Sequence, residues 1–172
     1  FLSLRGYTVI LFDYRGFGGS SSFTHDSTFL YHTEYLDDFS RVYAFAKENY
    51  GQNVINLYAI SMGTIFASRI GLRNGDGLVL DKPVLNVAYA VTQIEKQKGK
   101  RMNTPPLLPQ ISPEKIVIFY GTQDKVCDIQ AIKKYTKNAK TTEYHVPITH
   151  QESFLAVLRN DYFDIIEKGL SL

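Results

Sequence analysis

The sequence is poor in most features that mark a specialised environment. It has one cysteine, Cys127, so no disulfide can form within the chain, and a lone cysteine suits a reducing compartment such as the cytoplasm. No apolar run approaches the ~18 residues that a membrane-spanning helix needs. No charged leader with a short apolar stretch marks a secretory signal. Neither sign of charge dominates: 19 Lys and Arg against 17 Asp and Glu leave a net charge of +2. The densest basic cluster, 96–101 (KQKGKR), reads as a solvated helix end, whereas nucleic-acid binding calls for a broader basic face. The four histidines show no H-x-x-x-H spacing and have no C-x-x-C partner. There is no G-x-x-x-x-G-K-[ST] phosphate loop. The glycine-rich RGFGGS at 15–20 lacks G-x-G-x-x-G spacing and a helix start after it. No metal or cofactor is therefore expected, and no nucleic-acid partner.

What is present is an ordinary globular balance, 44% apolar and 21% charged, in a chain of 172 residues that suits one domain with one sizeable core. The chain begins FLSLRGYTVILF, without an initiator methionine; 1–4 read as the last turn of a helix and Arg5-Gly6 as its stop. Runs at 7–12 (YTVILF), 54–59 (VINLYA), 77–80 (GLVL), 115–120 (KIVIFY) and 141–146 read as strands, and the most apolar of them as strands buried on both faces. Between them the spacing predicts a helix over 33–50, where Leu36, Phe39, Val42, Tyr43 and Ala46 share a face and Gly51 stops it. Further helices are predicted over 62–72, 87–98, 128–137 with Asp128 as N-cap, and 151–168, where Thr149 and Glu152 have capping-box spacing. The segment 83–112, which ends in the proline-rich MNTPPLLPQ, reads as a lid-like insertion within a single domain spanning 1–172. Strands alternating with helices predict an α/β fold, a mostly parallel sheet with helices on both faces. In such sheets chemistry gathers at the carboxyl ends of the strands.

Three residues suited to acyl transfer lie at those ends. Ser61, in LYAISMGTIFA, follows a strand and precedes a helix, the context of the G-x-S-x-G nucleophile elbow, with Ala59 in place of the first glycine. The elbow turn is tight, so its flanking positions must be small; alanine adds one methyl, and Gly63 still lets the helix approach. Alone, the motif leaves nucleophile and packed serine both open. A serine needs a base, and the base an orienting acid. Asp124 follows the strand at 115–120 and His150 the strand at 141–146, in the chain order Ser, Asp, His expected for an elbow serine. Among the rivals, Asp81 also ends a strand. His145 reads as a partly buried strand residue, His25 and His32 as solvent-facing, Asp128 as a cap and Cys127 as a small packed thiol. A flavodoxin-like or Rossmann module would explain the α/β pattern, but not a serine, an aspartate and a histidine all at strand ends.

Together DYRGFGGS (13–20), AISMG (59–63), LDKP (80–83), GTQDKV (121–126) and His150 resemble the α/β-hydrolase superfamily. The likeness is nearest to the small serine hydrolases that include the alpha/beta-hydrolase-domain depalmitoylases and related bacterial esterases. It spans nearly the whole chain. It implies Ser61 as nucleophile, Asp124 as acid, His150 as base and the Met62 N–H as one oxyanion donor, with Asp13 and Arg15 bracing their loop. It also implies hydrolysis of a carboxylic ester or thioester of a small-molecule or acylated substrate. Within the lid-like 83–112, Val87, Tyr89, Val91, Leu107 and Leu108 are expected to present an apolar acyl site. A peptidase or C–C hydrolase on the same triad, or a non-catalytic hydrolase-like binding protein, are the alternatives. In the family a further strand lies between those matching 7–12 and 54–59, and the loop after it carries the second oxyanion donor. The expectation is therefore a C-terminal portion of a longer hydrolase, with a gap beside 54–59 and little activity of its own.

Overall fold

Two fully apolar runs form the centre of the sheet. A computed structural model describes residues 2–171. In it β2 (Gly77–Asp81) and β3 (Lys115–Gly121) are buried along nearly their whole length. They are flanked by β1 (Asn56–Ile60), whose side chains alternate exposed and buried, and by β4 (Lys140–Val146), which is polar and partly exposed. The order is β1-β2-β3-β4, all parallel. In register, Ile60 lies opposite Asp81, Asp81 opposite Phe119, and Gly121 opposite Val146, so all four carboxyl ends meet at one edge. This is the mostly parallel α/β sheet that the pattern predicts.

Strand alternation sends side chains to two apolar layers. Leu57, Ala59, Leu78, Leu80, Ile116 and Ile118 face α1 (Glu34–Tyr50), α2 (Met62–Ala67) and α4 (Ile129–Thr136). Val79, Val117 and Phe119 face α5 (Phe154–Leu158) and α6 (Asp161–Leu170) through Phe154, Tyr162 and Ile166. α3 (Val87–Lys98) closes the first layer with Ala90. Its N-cap Asn86 donates to Asp128 Oδ2 at 2.7 Å, and Asp128 in turn caps α4 through Gln130 N–H and Ala131 N–H, so the two helix starts are tied together.

Four expectations are corrected. Residues 7–12 form no strand: they run extended, Leu11 is 89% exposed, and no backbone hydrogen bond joins 8–12 to another element among the described residues. A strand is defined by its partner, and a cavity of about 410 Å³ separates 10–12 from 58–60. The helix expected over 151–168 is two helices. Thr149 N–H and its hydroxyl both donate to Glu152 Oε2, which closes a turn without starting a helix. Ser153 caps α5 instead, and the chain breaks at Arg159, whose φ is 53°. α2 ends at Ala67, where the Ser68 hydroxyl takes the Ile65 carbonyl. His145, expected to be partly buried, is exposed and stacked on Tyr120 at 5.2 Å.

Outside the sheet, Arg15 pairs with Asp38 of α1 at 2.6 Å, while Asp13 accepts Gly19 N–H at 3.0 Å, which together fold the 13–20 loop down. Below the opposite, amino edge of the sheet, buried Asp76 accepts Tyr43 O–H and Ile55 N–H, each at 2.9 Å, and pairs with Arg73. Burial pushes its carboxyl upward, but the Arg73 bond and the two donors outweigh this and hold it below the usual range. Asp76→Ala is expected to destabilise by about 2–4 kcal/mol, since a buried hydroxyl and a buried amide lose their acceptor. Because the native state binds that proton more weakly, Asp76 stabilises fully above the ordinary carboxylate range and loses its effect as pH falls through the lowered native value. Urea unfolding across pH checks both points: the variant should lose less stability on acidification than the parent.

Candidate active site

The turn from β1 into α2 holds Ser61 at φ 48° and ψ −115°, a region that non-glycine residues seldom adopt and that costs about 1–3 kcal/mol. The surroundings hold it there. Ser61 N–H donates to Asp81 O at 2.8 Å, and its own carbonyl accepts Thr64 N–H at 3.0 Å and the Thr64 hydroxyl at 2.5 Å. Thr64 Oγ1 accepts Val84 N–H at 2.8 Å, so one buried hydroxyl ties the turn to the chain leaving β2. A Cβ built on Gly63 would sit 3.7 Å from Ala59 Cβ, an ordinary contact, so the alanine in AISMG is accommodated without crowding.

Asp124 leaves β3 in the turn after Gly121, and His150 lies in the loop after β4. A Cβ at Gly121 would lie 2.0 Å from Ile148 O, so only glycine lets these two loops approach. Lys82, at φ 53°, reaches from the end of β2 to the Glu152 carbonyl at 3.0 Å and pins the far side of the His150 loop. The outcome is a continuous chain: Ser61 Oγ to His150 Nε2 at 2.7 Å, and His150 Nδ1 to Asp124 Oδ2 at 2.7 Å. A carboxylate only accepts, so Nδ1 carries the proton and Nε2 is left to accept from the Ser61 hydroxyl. The His150 side chain is 17% exposed and that of Asp124 fully buried.

Burial alone would push the Asp124 carboxyl up, but four donors hold it below the usual range. They are His150, the Cys127 thiol at 3.0 Å, Val126 N–H at 2.8 Å and Cys127 N–H at 3.2 Å. The thiol contact is the feature that sequence reading missed, since Cys127 was expected only to pack. The spacing D-x-x-C, with the sulfur returning over its own turn, was its one available signal. Asp124, Cys127 and His150 place an oxygen, a sulfur and a nitrogen within 4.8 Å of one another, a grouping that no linear metal spacing revealed. The two hydrogen bonds at Asp124 Oδ2 already link all three.

The rival acid Asp81 lies elsewhere in the network. Its Oδ2 accepts Tyr162 O–H at 2.7 Å, Tyr162 O meets Tyr58 O at 2.7 Å, and Oδ1 has no partner among the described residues. Burial pushes the Asp81 carboxyl up. His25 meets the Tyr35 hydroxyl at 2.7 Å in an aromatic cluster with His32, remote in the network from Ser61. The 410 Å³ cavity reaches Ser61, Met62 and Gly63, with Phe12, Tyr14 and Ile60 in its walls. The expected acyl-site residues do not line it: Val87 and Leu107 pack on the core and Leu108 is 64% exposed. A second cavity of about 370 Å³ is lined by Asp124, Cys127 and Tyr89, among others. Met62 N–H, at the first turn of α2, makes no hydrogen bond among the described residues.

The parallel sheet, the strand–serine–helix turn and helices on both faces are those of the α/β-hydrolase fold. The family profile described as "Serine aminopeptidase, S33" matches residues 1–116, and the chain belongs to this family of hydrolases. An esterase of Pyrococcus furiosus is similar in structure in two crystal forms. One has a TM-score of 0.69 at 17% identity, covering 99% of this chain and 72% of the esterase. The other has a TM-score of 0.71 at 16% identity, covering 98% and 71%. No curated protein matches the chain.

Proposed function

We propose that Ser61, His150 and Asp124 form a catalytic triad that hydrolyses a carboxylic ester or thioester. The single observation that carries this is the unbroken hydrogen-bond chain from the Ser61 hydroxyl to the buried Asp124 carboxylate. His150 Nε2 takes the Ser61 proton as Oγ attacks the carbonyl carbon, and Asp124 holds the ring and offsets the charge it gains. The Met62 N–H hydrogen-bonds the oxyanion. His150 then protonates the departing alkoxide or thiolate, and water, deprotonated by the same nitrogen, releases the acid and restores Ser61.

The structural likeness to the Pyrococcus furiosus esterase supports ester cleavage as the first reading. The family description supports peptide cleavage as the second reading. The segment 83–112 borders the Asp124 side of the site, since Tyr89 lines the cavity there.

The test is reaction with a fluorophosphonate, followed by peptide mapping and a panel of esters, thioesters and aminoacyl amides. The expected result is an adduct on Ser61 and a preference for esters or thioesters. An adduct on another residue overturns the triad, and a preference for aminoacyl amides overturns the substrate class. Met62 is the one oxyanion donor we assign, and a site with one donor works about 10²–10³-fold more slowly than one with two. Adduct formation, a single event per molecule, is therefore the more sensitive readout.

A further inference from the structure

We propose that Cys127 is a positioning residue whose thiol donates a hydrogen bond to Asp124 and fixes the carboxylate that orients His150. The proposal rests on the triad reading above. The thiol lies 3.0 Å from Oδ2, the same oxygen that accepts His150 Nδ1–H, while Cys127 N–H and Val126 N–H hold Oδ1. Both oxygens are thereby fixed, and the carboxylate plane with them. Without the sulfur, Oδ2 would have His150 as its only partner and could follow any movement of the ring.

The thiol also shares the charge on Oδ2. A donor to a carboxylate stabilises its ionised form and lowers its affinity for a proton. Burial, and then the adjacent Asp124 charge, push the Cys127 thiol far above its ordinary value, so it stays an S–H donor across the working range of the site. Cys127 is only 4% exposed and not a nucleophile in its own right. The other charged groups acting on it are Asp81 and Lys82 at the end of β2.

The experiment compares parent, Cys127→Val and Cys127→Ser by the rate of Ser61 phosphonylation across pH. Valine removes the donor at similar volume; serine keeps one. The expected result for Cys127→Val is a rate about three- to tenfold lower at neutral pH, with its acidic midpoint moved to higher pH, because the carboxylate, without the thiol donor, then holds a proton more tightly. Cys127→Ser should keep its midpoint near that of the parent. If Cys127→Val does not fold, as judged by circular dichroism, Cys127→Ala takes its place. A slower rate with an unmoved midpoint overturns the proposal, since loss of packing alone would do that, and so does an unchanged profile. A parent protein whose Ser61 takes no phosphonate overturns the triad reading, and the role of Cys127 falls with it. A labelled Ser61 with equal midpoints in all variants overturns the role of Cys127 alone.

Discussion

Replacing Ser61 by alanine is expected to remove fluorophosphonate labelling altogether and to lower ester cleavage by about 10⁴-fold or more, to the level of background. Only the hydroxyl is lost, and among the described residues its side-chain partner is His150 Nε2 at 2.7 Å. The fold should be unaffected, because the contacts that hold the turn are made by the Ser61 backbone with Asp81 and Thr64. Ser61→Gly separates chemistry from strain. Glycine adopts φ 48° without penalty, so this variant should be equally inactive yet more stable than the alanine variant by about 1 kcal/mol. Thermal unfolding of the pair reads that difference. An alanine variant that retains its esterase activity would remove Ser61 from the mechanism, and a glycine variant no more stable would show that the turn is not strained.

The parts of this arrangement that were legible in the sequence are those set by periodicity. Continuous apolar runs at 77–80 and 115–120 become the central strands, and the residues that follow the strands meet at one edge because parallel strands end together. That is why Ser61, Asp124 and His150 could be placed near one another from their distance to strand ends. Features that depend on a partner were not legible. Residues 7–12 have the composition of a buried strand, yet a strand requires a neighbour, and among the described residues none pairs with 8–12. Thr149 and Glu152 have the spacing of a helix start, yet both Thr149 donors turn to one carboxylate and the helix waits for Ser153. Val87, Tyr89 and Val91 lie on α3 and Leu107 and Leu108 on the chain after it, whereas Phe12 and Tyr14, far earlier in the sequence, line the space beside Ser61. The bond from Cys127 to Asp124 is compatible with the D-x-x-C spacing, but it depends on how the turn curls back on itself, which the spacing alone does not fix.

Asp124→Asn is expected to be the second most damaging change, at about 10⁴-fold in acylation rate, with the protein still folded. The amide has the shape of the carboxylate but reversed polarity at one position. Its carbonyl can still accept from Val126 N–H and Cys127 N–H at the Oδ1 site, where two of the four donors converge. Its NH₂ group then occupies the Oδ2 site, facing His150 Nδ1 and the Cys127 sulfur. Facing a donor, Nδ1 must become an acceptor, which moves the ring proton to Nε2 and aims it at Ser61 Oγ. The serine keeps a hydrogen bond and loses its base. The same substitution changes acid stability in a defined direction. Asp124 is held below its usual range in the native state, so it stabilises the fold above the ordinary carboxylate range and ceases to as pH falls through its lowered value. The asparagine variant should therefore lose less stability between neutral and acidic pH than the parent. Asp81→Asn serves as the control, since Asp81 hydrogen-bonds Tyr162 and not His150. If Asp81→Asn lowers acylation more than Asp124→Asn does, the orienting acid has been assigned to the wrong strand.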